Sequence, residues 1–323
     1  MKQLLKNRDA LLAAFIVVVA LIIGSVADGF LNLGNLVAVY NDTAILIILA
    51  MGQMLVILTR SIDLSVAANL ALSGMVVALL NSHFPELPVL LIVLVGVLCG
   101  LVMGLINGLL VWKLGIPAIV VTLGTMSIYR GIVFLMSNGE WVNAHEMTPE
   151  FIDLPAASFL GLSLMTWLSL VIIAGFFYLL RFRELGRQFF SAGNNPTAAF
   201  YIGVNVGKVQ FVSFAISGAL AGLAGYLWVA RYAVAYVDVA NGFELQVIAA
   251  CVIGGVSIMG GIGSLFGCIL GALFIGLVNN ALPVIGVSPF WQMAISGGVI
   301  ILAVIANSKA EKKPGRIILK TTN

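Results

Sequence analysis

Apolar residues run through this chain in stretches too long for a soluble core, and polar residues collect in the short gaps between them. A helix rises about 1.5 Å per residue, so roughly 20 mostly apolar residues cross a hydrocarbon layer. Windows of that size mark ten candidate spans, at about 10–28, 36–59, 62–81, 88–113, 116–137, 163–180, 208–231, 244–260, 264–282 and 289–307. The links near Arg60 and near Gly261 are tight turns rather than loops, which makes the second, third, eighth and ninth spans candidates for broken or partly re-entrant helices. The pattern predicts an all-α polytopic membrane protein with one transmembrane domain over residues 1–323.

Composition supports this. The chain is 61% hydrophobic and only 9% charged, against about 25% charged in a soluble domain. No soluble fold of this length has enough polar cover for that surface. Charge then sets direction. Lys2, Lys6, Arg8, Arg60, Lys113, Arg181, Arg183, Arg187, Lys208, Lys309, Lys312, Lys313, Arg316 and Lys320 fall on one side of the ten spans. Arg130 lies within the fifth span and Arg231 near the outer end of the seventh. On the other side the segment from Asn138 to Ser163 holds Glu140, Glu146, Glu150 and Asp153 with no Lys or Arg. Basic residues near span ends stay in the cytoplasm, so both termini, with a tail at 308–323, are expected inside, and ten spans give the even number this requires. The first span follows basic residues and ends at Ser25-Val26-Ala27, which resembles a signal-peptide cleavage site; an uncleaved anchor is the expectation. Cys99, Cys251 and Cys268 lie in apolar runs with no pair at metal or disulfide spacing, and are expected as small core residues.

Two opposite charges, Arg60 and Asp63, interrupt the stretch LVILTRSIDLSVAANLALSG. Mid-bilayer each would cost about 2.5–3.5 kcal/mol, so both belong at the inner end of a helical hairpin. Either Arg60 is an interfacial anchor and Asp63 caps the third helix, or the two form part of an inner gate, paired with each other or fixing the turn. Between helices in lipid, close approach needs small residues. Gly100, Gly104 and Gly108 form one such ridge, Gly218 and Gly222 a second, and Gly263, Gly267 and Gly271 a third. The extra cluster Gly254, Gly255, Gly260 and Gly261 suggests unwound backbone, tolerated at depth only beside protein or a water-filled path. Polar groups within spans that can line a path are Asn107, Thr122, Ser127, Arg130 and Asn279. Arg130 is divided between pathway and anchor, whereas Asn107 and Asn279 suit interhelical bonding. Tyr40, Asn41 and Asp42 lie near the outer mouth. The stretches at 50–74 and 249–273 share an apolar helix, a tight turn and a small-residue helix, a hint of duplication.

The largest inside segment, 181–208, has a basic start and then a turn, Asn194-Asn195-Pro196, followed by a short helix beginning at Thr197, Ala198 and Ala199 and ending near Gly203. Its TAAFYIG resembles the Ala-Ala-x-x-x-Gly core of the coupling loop in ATP-binding-cassette importer permeases. TRSIDLSV resembles the T-x-G-I-D-L-S-V-G signature of the ribose-type sugar permeases, and PAIVVTLGTMSIYRG, AGNNPTAAFYIGVNV and IAACVIGGVSIMGGIGSLFGCILGA are similar to further blocks of that family. The likeness spans about residues 35–307 in order. Arg60-Ser61 departs from the usual small residue and glycine, and Ala67 from the final glycine, which places the chain nearer to relatives handling rhamnose or autoinducer-2 than ribose.

The resemblance implies an importer permease fold working as a pair, with the same chain or a paralogue as second subunit. It also implies a periplasmic sugar-binding protein and a cytosolic double-cassette ATPase as partners, in a bacterial inner membrane. No G-x-x-x-x-G-K-[ST] loop is present, so ATP and Mg are expected on the ATPase, with no cofactor on this chain. On this view Asn195, Pro196, Thr197, Ala198, Ala199 and Gly203 form the ATPase-coupling loop, a lever that re-packs the glycine ridges in alternating access. The acidic outer segment is a candidate dock for the binding protein. A proton-coupled secondary sugar transporter is the alternative, but of the carboxylates only Asp42 plausibly falls within a span. A passive channel would leave the loop at 194–203 without work, and no metalloprotease motif or intramembrane aspartate pair suggests an enzyme. Nothing points to nucleic acid.

Overall fold

The computed structural model describes residues 8–27 and 29–284 and the isolated positions 286, 288, 291, 294, 297, 298 and 301. Apart from those isolated positions, the expected tenth span at 289–307 and the tail at 308–323 lie outside the described residues. Twelve α-helices are described: α1 (Arg8–Val26), α2 (Leu33–Leu58), α3 (Val66–His83), α4 (Val89–Leu114), α5 (Ala118–Ser137), α6 (Pro149–Asp153), α7 (Leu164–Phe182), α8 (Glu184–Asn194), α9 (Pro196–Tyr201), α10 (Val206–Tyr232), α11 (Phe243–Ile253) and α12 (Leu265–Val284). Eight of them, α1–α5, α7, α10 and α12, are long and apolar enough to cross a membrane.

The expected eighth span, 244–260, is corrected. Helix α11 has 11 residues, about 16 Å of rise and too little to span. It stops at Gly254, and residues 254–264 run without helix. Gly255, Gly260 and Gly261 there have φ of 89°, 80° and 73°, conformations that glycine adopts freely and other residues do not. The expected third span also starts late, because residues 59–65 are likewise non-helical between α2 and α3. The two candidate broken hairpins are thus both broken.

Helix α2 is the axis of the fold. Every residue from Thr43 to Leu58 is buried, on all faces, as expected of a helix that is apolar all round inside a large bundle. Helices α7, α8, α10, α11 and α12 surround it, α3 packs on α10, α4 lies on α10 and α3, and α5 on α3 and α4. Helix α1 has no buried residue and leans on α12, with Phe15 and Phe274 ring centroids 5.6 Å apart. Leu21, Ile22, Leu90, Leu135 and Val171 are all more than half exposed. In water such a belt would drive aggregation; in a bilayer it is the lipid face.

The bundle has two chemically distinct ends. The breaks at 59–65 and 254–264, the α4–α5 turn and α8–α9 gather at one end, with Arg60, Lys113, Arg181, Arg183, Arg187 and Lys208. At the other end lie Glu86, Glu140, Glu146, Glu150 and Asp153. There β1 (Val142–Asn143) pairs antiparallel with β4 (Val234–Ala235), and β2 (Ser158–Phe159) with β3 (Leu162–Ser163). The β2–β3 turn uses Leu160 and Gly161, both at positive φ, as a tight two-residue hairpin requires.

Candidate functional site

At the basic end the chain leaves α7 and folds back as α8. Its buried face, Gly186, Phe189, Ala192 and Gly193, follows helical spacing and seats it against α2, α7 and α10. A Cβ on Gly186 would strike the Leu179 carbonyl, and one on Gly193 the Leu58 carbonyl. Helix α9 follows at once. The Asn195 side chain accepts from Ala198 N at 3.0 Å as N-cap, and Pro196 occupies the first turn, where its missing N–H costs nothing. Ala199 is buried, Thr197 and Ala198 face outward, and Gly203 at φ 89° ends the element. Past Ala199 the chain displays Phe200, Tyr201 and Ile202, exposed by 69%, 81% and 75%. The coupling-loop residues named from sequence therefore share one short helix and its caps. Helix α8 was missed, although the apolar spacing in ELGRQFFSAG was available to find it.

Arg60 and Asp63 do not pair with each other. Arg60 crosses to the C-terminal turn of α8, donating from Nε to Gly193 O at 2.6 Å and from Nη2 to Asn194 O at 3.1 Å. Those carbonyls close a helix, where donors inside the helix run out and a cation is favoured. Asp63 is buried, and its Oδ1 accepts from Ser65 N at 2.9 Å and Ser65 Oγ at 2.6 Å. Ser65 Oγ in turn accepts from Asn107 Nδ2 at 2.8 Å. Thr122 Oγ1 donates to Ile62 O at 3.2 Å. Asn107 from α4 and Thr122 from α5 thus converge with Arg60 and Asp63 on the break at 59–65.

The other three pathway candidates lie elsewhere. Ser127 is exposed on α5 and donates to Leu123 O at 3.4 Å. Arg130 donates from Nη1 to Val237 O at 2.9 Å and Val239 O at 2.6 Å, binding α5 to the loop at the acidic end. Asn279 Nδ2 donates to Gln246 Oε1 at 2.9 Å, between α12 and α11. Of the outer-mouth residues, Tyr40 bonds Ser169 Oγ at 2.9 Å, Asn41 accepts from Ser163 and Thr166 Oγ, each at 2.7 Å, and Asp42 pairs with Arg231 at 2.6 Å. Glu146, on the acidic loop, accepts the Asn143 N–H at 2.7 Å, which holds its carboxyl below the usual range.

Two ridges stand as helix contacts and one is corrected. On α4, Gly100, Gly104 and Gly108 meet α10 at Gly218, Gly222 and Phe211. On α12, Gly267 and Gly271 meet Gly254 and Ala250. Gly263 is not part of that ridge: it lies in the non-helical break, where its nearest neighbours are Leu58 and Val256 side chains, because α12 begins only at Leu265. Cys251 and Cys268 are buried in the core, as expected. They lie 17 positions apart in sequence, and α11 and α12 pack their Sγ atoms 3.7 Å apart, both aimed at Ala50 O.

Beside the break is a cavity of about 510 Å³ lined by Arg60, Ser61, Ile62, Ile119, Gln210 and Ile258. Gln210 Nε2 donates to Thr59 O at 3.2 Å. Its size falls in the range of small-molecule sites, and its wall mixes apolar side chains with a few hydrogen-bonding groups. Among the described residues no group of three or more His, Cys, Asp or Glu is placed to hold a metal ion.

Known proteins supply context for this geometry. A family profile described as branched-chain amino acid transport system / permease component matches residues 35–304. The autoinducer 2 import system permease protein LsrC of Shigella flexneri is 34% identical over 307 residues, covering 94% of this chain and 88% of the relative. The protein of that name from Escherichia coli strain K12 / DH10B shows the same identity and coverage. That of Photorhabdus laumondii is 33% identical over 312 residues, 96% of this chain and 92% of its own. No solved structure matches the chain.

Proposed function

The chain belongs to the branched-chain amino acid transport system / permease component family, and from that premise we propose that it is the membrane-spanning subunit of an ATP-driven importer carrying a small sugar into the cytoplasm. It is a multi-pass membrane transport component rather than an enzyme. The observation that carries the energy source is α8–α9: a short helix and its C-cap with three exposed apolar side chains, seated through α8 against the two helix breaks. A soluble ATPase needs such a foothold, and a secondary transporter has no use for one. The basic end then faces the cytoplasm, in line with the positive-inside bias, and the acidic end meets a periplasmic binding protein.

In this scheme Asn195, Pro196, Thr197, Ala198, Ala199 and Gly203 form the foothold. Arg60, Asp63, Asn107 and Thr122 hold the inner end of the path, and the α4–α10 and α11–α12 glycine contacts let helices shift in close register. A second permease subunit, the same chain or a paralogue, completes the path. ATP and Mg reside on the ATPase. Among ribose, rhamnose and autoinducer-2, the last is favoured by the names of the relatives. Asp42, the carboxylate that a proton-coupled mechanism would draw on, is engaged with Arg231, which weighs against that alternative.

The test is uptake into proteoliposomes holding the permease pair, the ATPase and the binding protein, supplied in turn with ribose, rhamnose and autoinducer-2. Uptake of one of them that requires ATP and persists when the proton gradient is collapsed is the expected result. Uptake that follows the gradient and ignores ATP would overturn the proposal.

A further inference from the structure

Three backbone segments meet within a few ångströms at the basic end, and one side chain ties them together. Gly261 N donates to Leu58 O at 3.0 Å, joining the break at 254–264 to the end of α2. A Cβ on Gly261 would lie 2.7 Å from the Asn194 Cβ, and one on Gly193 would lie 2.5 Å from Gly261 N. A Cβ on Gly260 would lie 2.5 Å from Arg60 Cγ. Glycine at each of these positions therefore brings α8, the α2–α3 break and the α11–α12 break into backbone contact. Arg60 sits at their centre with φ 61°, a left-handed conformation that a side-chain-bearing residue holds only when its surroundings demand it. Here the demand is visible: from that backbone the guanidinium spans to the last two carbonyls of α8, and the same side chain lines the 510 Å³ cavity.

Resting on the importer function proposed above, we infer that Arg60 is the brace that carries displacement of α8–α9 into the inner mouth of the path. It is a positioning residue: its guanidinium is engaged by the two α8 carbonyls. When the ATPase moves α9, α8 moves with it, and the Arg60 fork drags the 59–65 break, whose Ser61 and Ile62 form the cavity wall. Arg60 suits this because its planar fork reaches two carbonyls at once, which a lysine ammonium does less well.

The test separates hydrolysis from movement without needing the sugar's identity. In a chain whose three native cysteines are alanine, Ile119→Cys on the cavity wall is labelled with a maleimide in the membrane-embedded complex with the ATPase, with and without ATP. The parent should show an ATP-dependent change in labelling rate of at least about fivefold, the low end of ordinary coupling between sites. R60G gives the backbone the residue that prefers this φ, so it adds no backbone strain. It should keep at least about half the parent's ATP hydrolysis while its labelling change falls below about twofold. R60K should fall between. Assembly is scored first by co-purification; if R60G fails to assemble, R60K decides, expected at no more than about half the parent's response. A response in the deciding variant equal to the parent's overturns the assignment of Arg60 alone. A parent complex with no ATP-dependent change overturns the importer function and this assignment with it.

Discussion

The α4–α10 contact offers the cleanest test of how this bundle is held. A Cβ added at Gly100 would sit 2.5 Å from Gly222 N and 2.6 Å from Gly222 Cα, and would run into the Gly218 carbonyl. All three obstacles are backbone, so no side chain can swing aside. Restoring ordinary contact requires the helices to part by about 1 Å, and a gap of that size forfeits a quarter to a half of each neighbouring dispersion contact. Overpacking of this kind costs about 1–3 kcal/mol. Three backbone clashes put Gly100 in the upper part of that range, about 2–3 kcal/mol, and alanine returns about 1 kcal/mol through helix propensity, leaving G100A destabilised by about 1–2 kcal/mol. Gly175 on α7 is the matched control, because nothing lies within 4 Å of its added Cβ; G175A should gain up to about 1 kcal/mol. At about 2–4 °C per kcal/mol for a long chain, the two variants should differ in Tm by about 5 °C. Cys251 and Cys268 are fully buried, so a thiol-reactive fluorophore reports unfolding of the purified protein in mild detergent. G100A melting at or above the parent would refute the claim that backbone proximity at this crossing carries stability.

Other consequences can be checked in the same preparation. Ser65 Oγ both donates to Asp63 and accepts from Asn107, so S65A and N107A should be non-additive in a double-mutant cycle, with a coupling of about 0.5–3 kcal/mol; strict additivity would mean the bonds are not shared. Replacing both Phe200 and Tyr201 by serine should leave Tm within about 1 °C, because both are exposed, while weakening ATPase co-purification about thirtyfold, as loss of an aromatic anchor does. Unchanged co-purification would place the ATPase elsewhere. D42N removes a partly exposed ion pair worth about 0.2–1 kcal/mol, so Tm should fall by less than about 4 °C; a larger drop would show that Asp42 does more than pair with Arg231.

Much of this arrangement was legible in the sequence, for reasons particular residues make plain. Long apolar runs are unambiguous when lipid is the solvent, so α1, α4, α5, α7 and α10 start and end within a few residues of expectation. Glycine at four-residue spacing reported the α4–α10 contact, because Cβ exclusion is written directly in residue type. The span at 244–260 failed because hydropathy does not see dihedral angles: Gly254-Gly255 and Gly260-Gly261 unwind a segment whose composition still looks membranous. The same clustering was the clue that the backbone is broken there. Helix α8 was masked by Arg183, Glu184 and Arg187, which read as loop although its buried face is regular. Partnerships across long separations were not readable at all. Nothing local to Arg60 names Gly193 and Asn194 as its acceptors, and nothing in the spacing of Cys251 and Cys268 brings their sulfurs together.

The enclosure of α2 bears on biosynthesis. This segment enters the membrane early, yet two of its walls, α10 and α12, begin at Val206 and Leu265. At about 5–20 residues per second, the ribosome needs several seconds to tens of seconds to deliver them. During that wait α2 must sit among lipid tails with the Gln53 amide unsheltered. A nascent chain halted before residue 206 would hold a hydrophobic axis with no bundle around it, and membrane proteases that patrol for such orphans should clear it first.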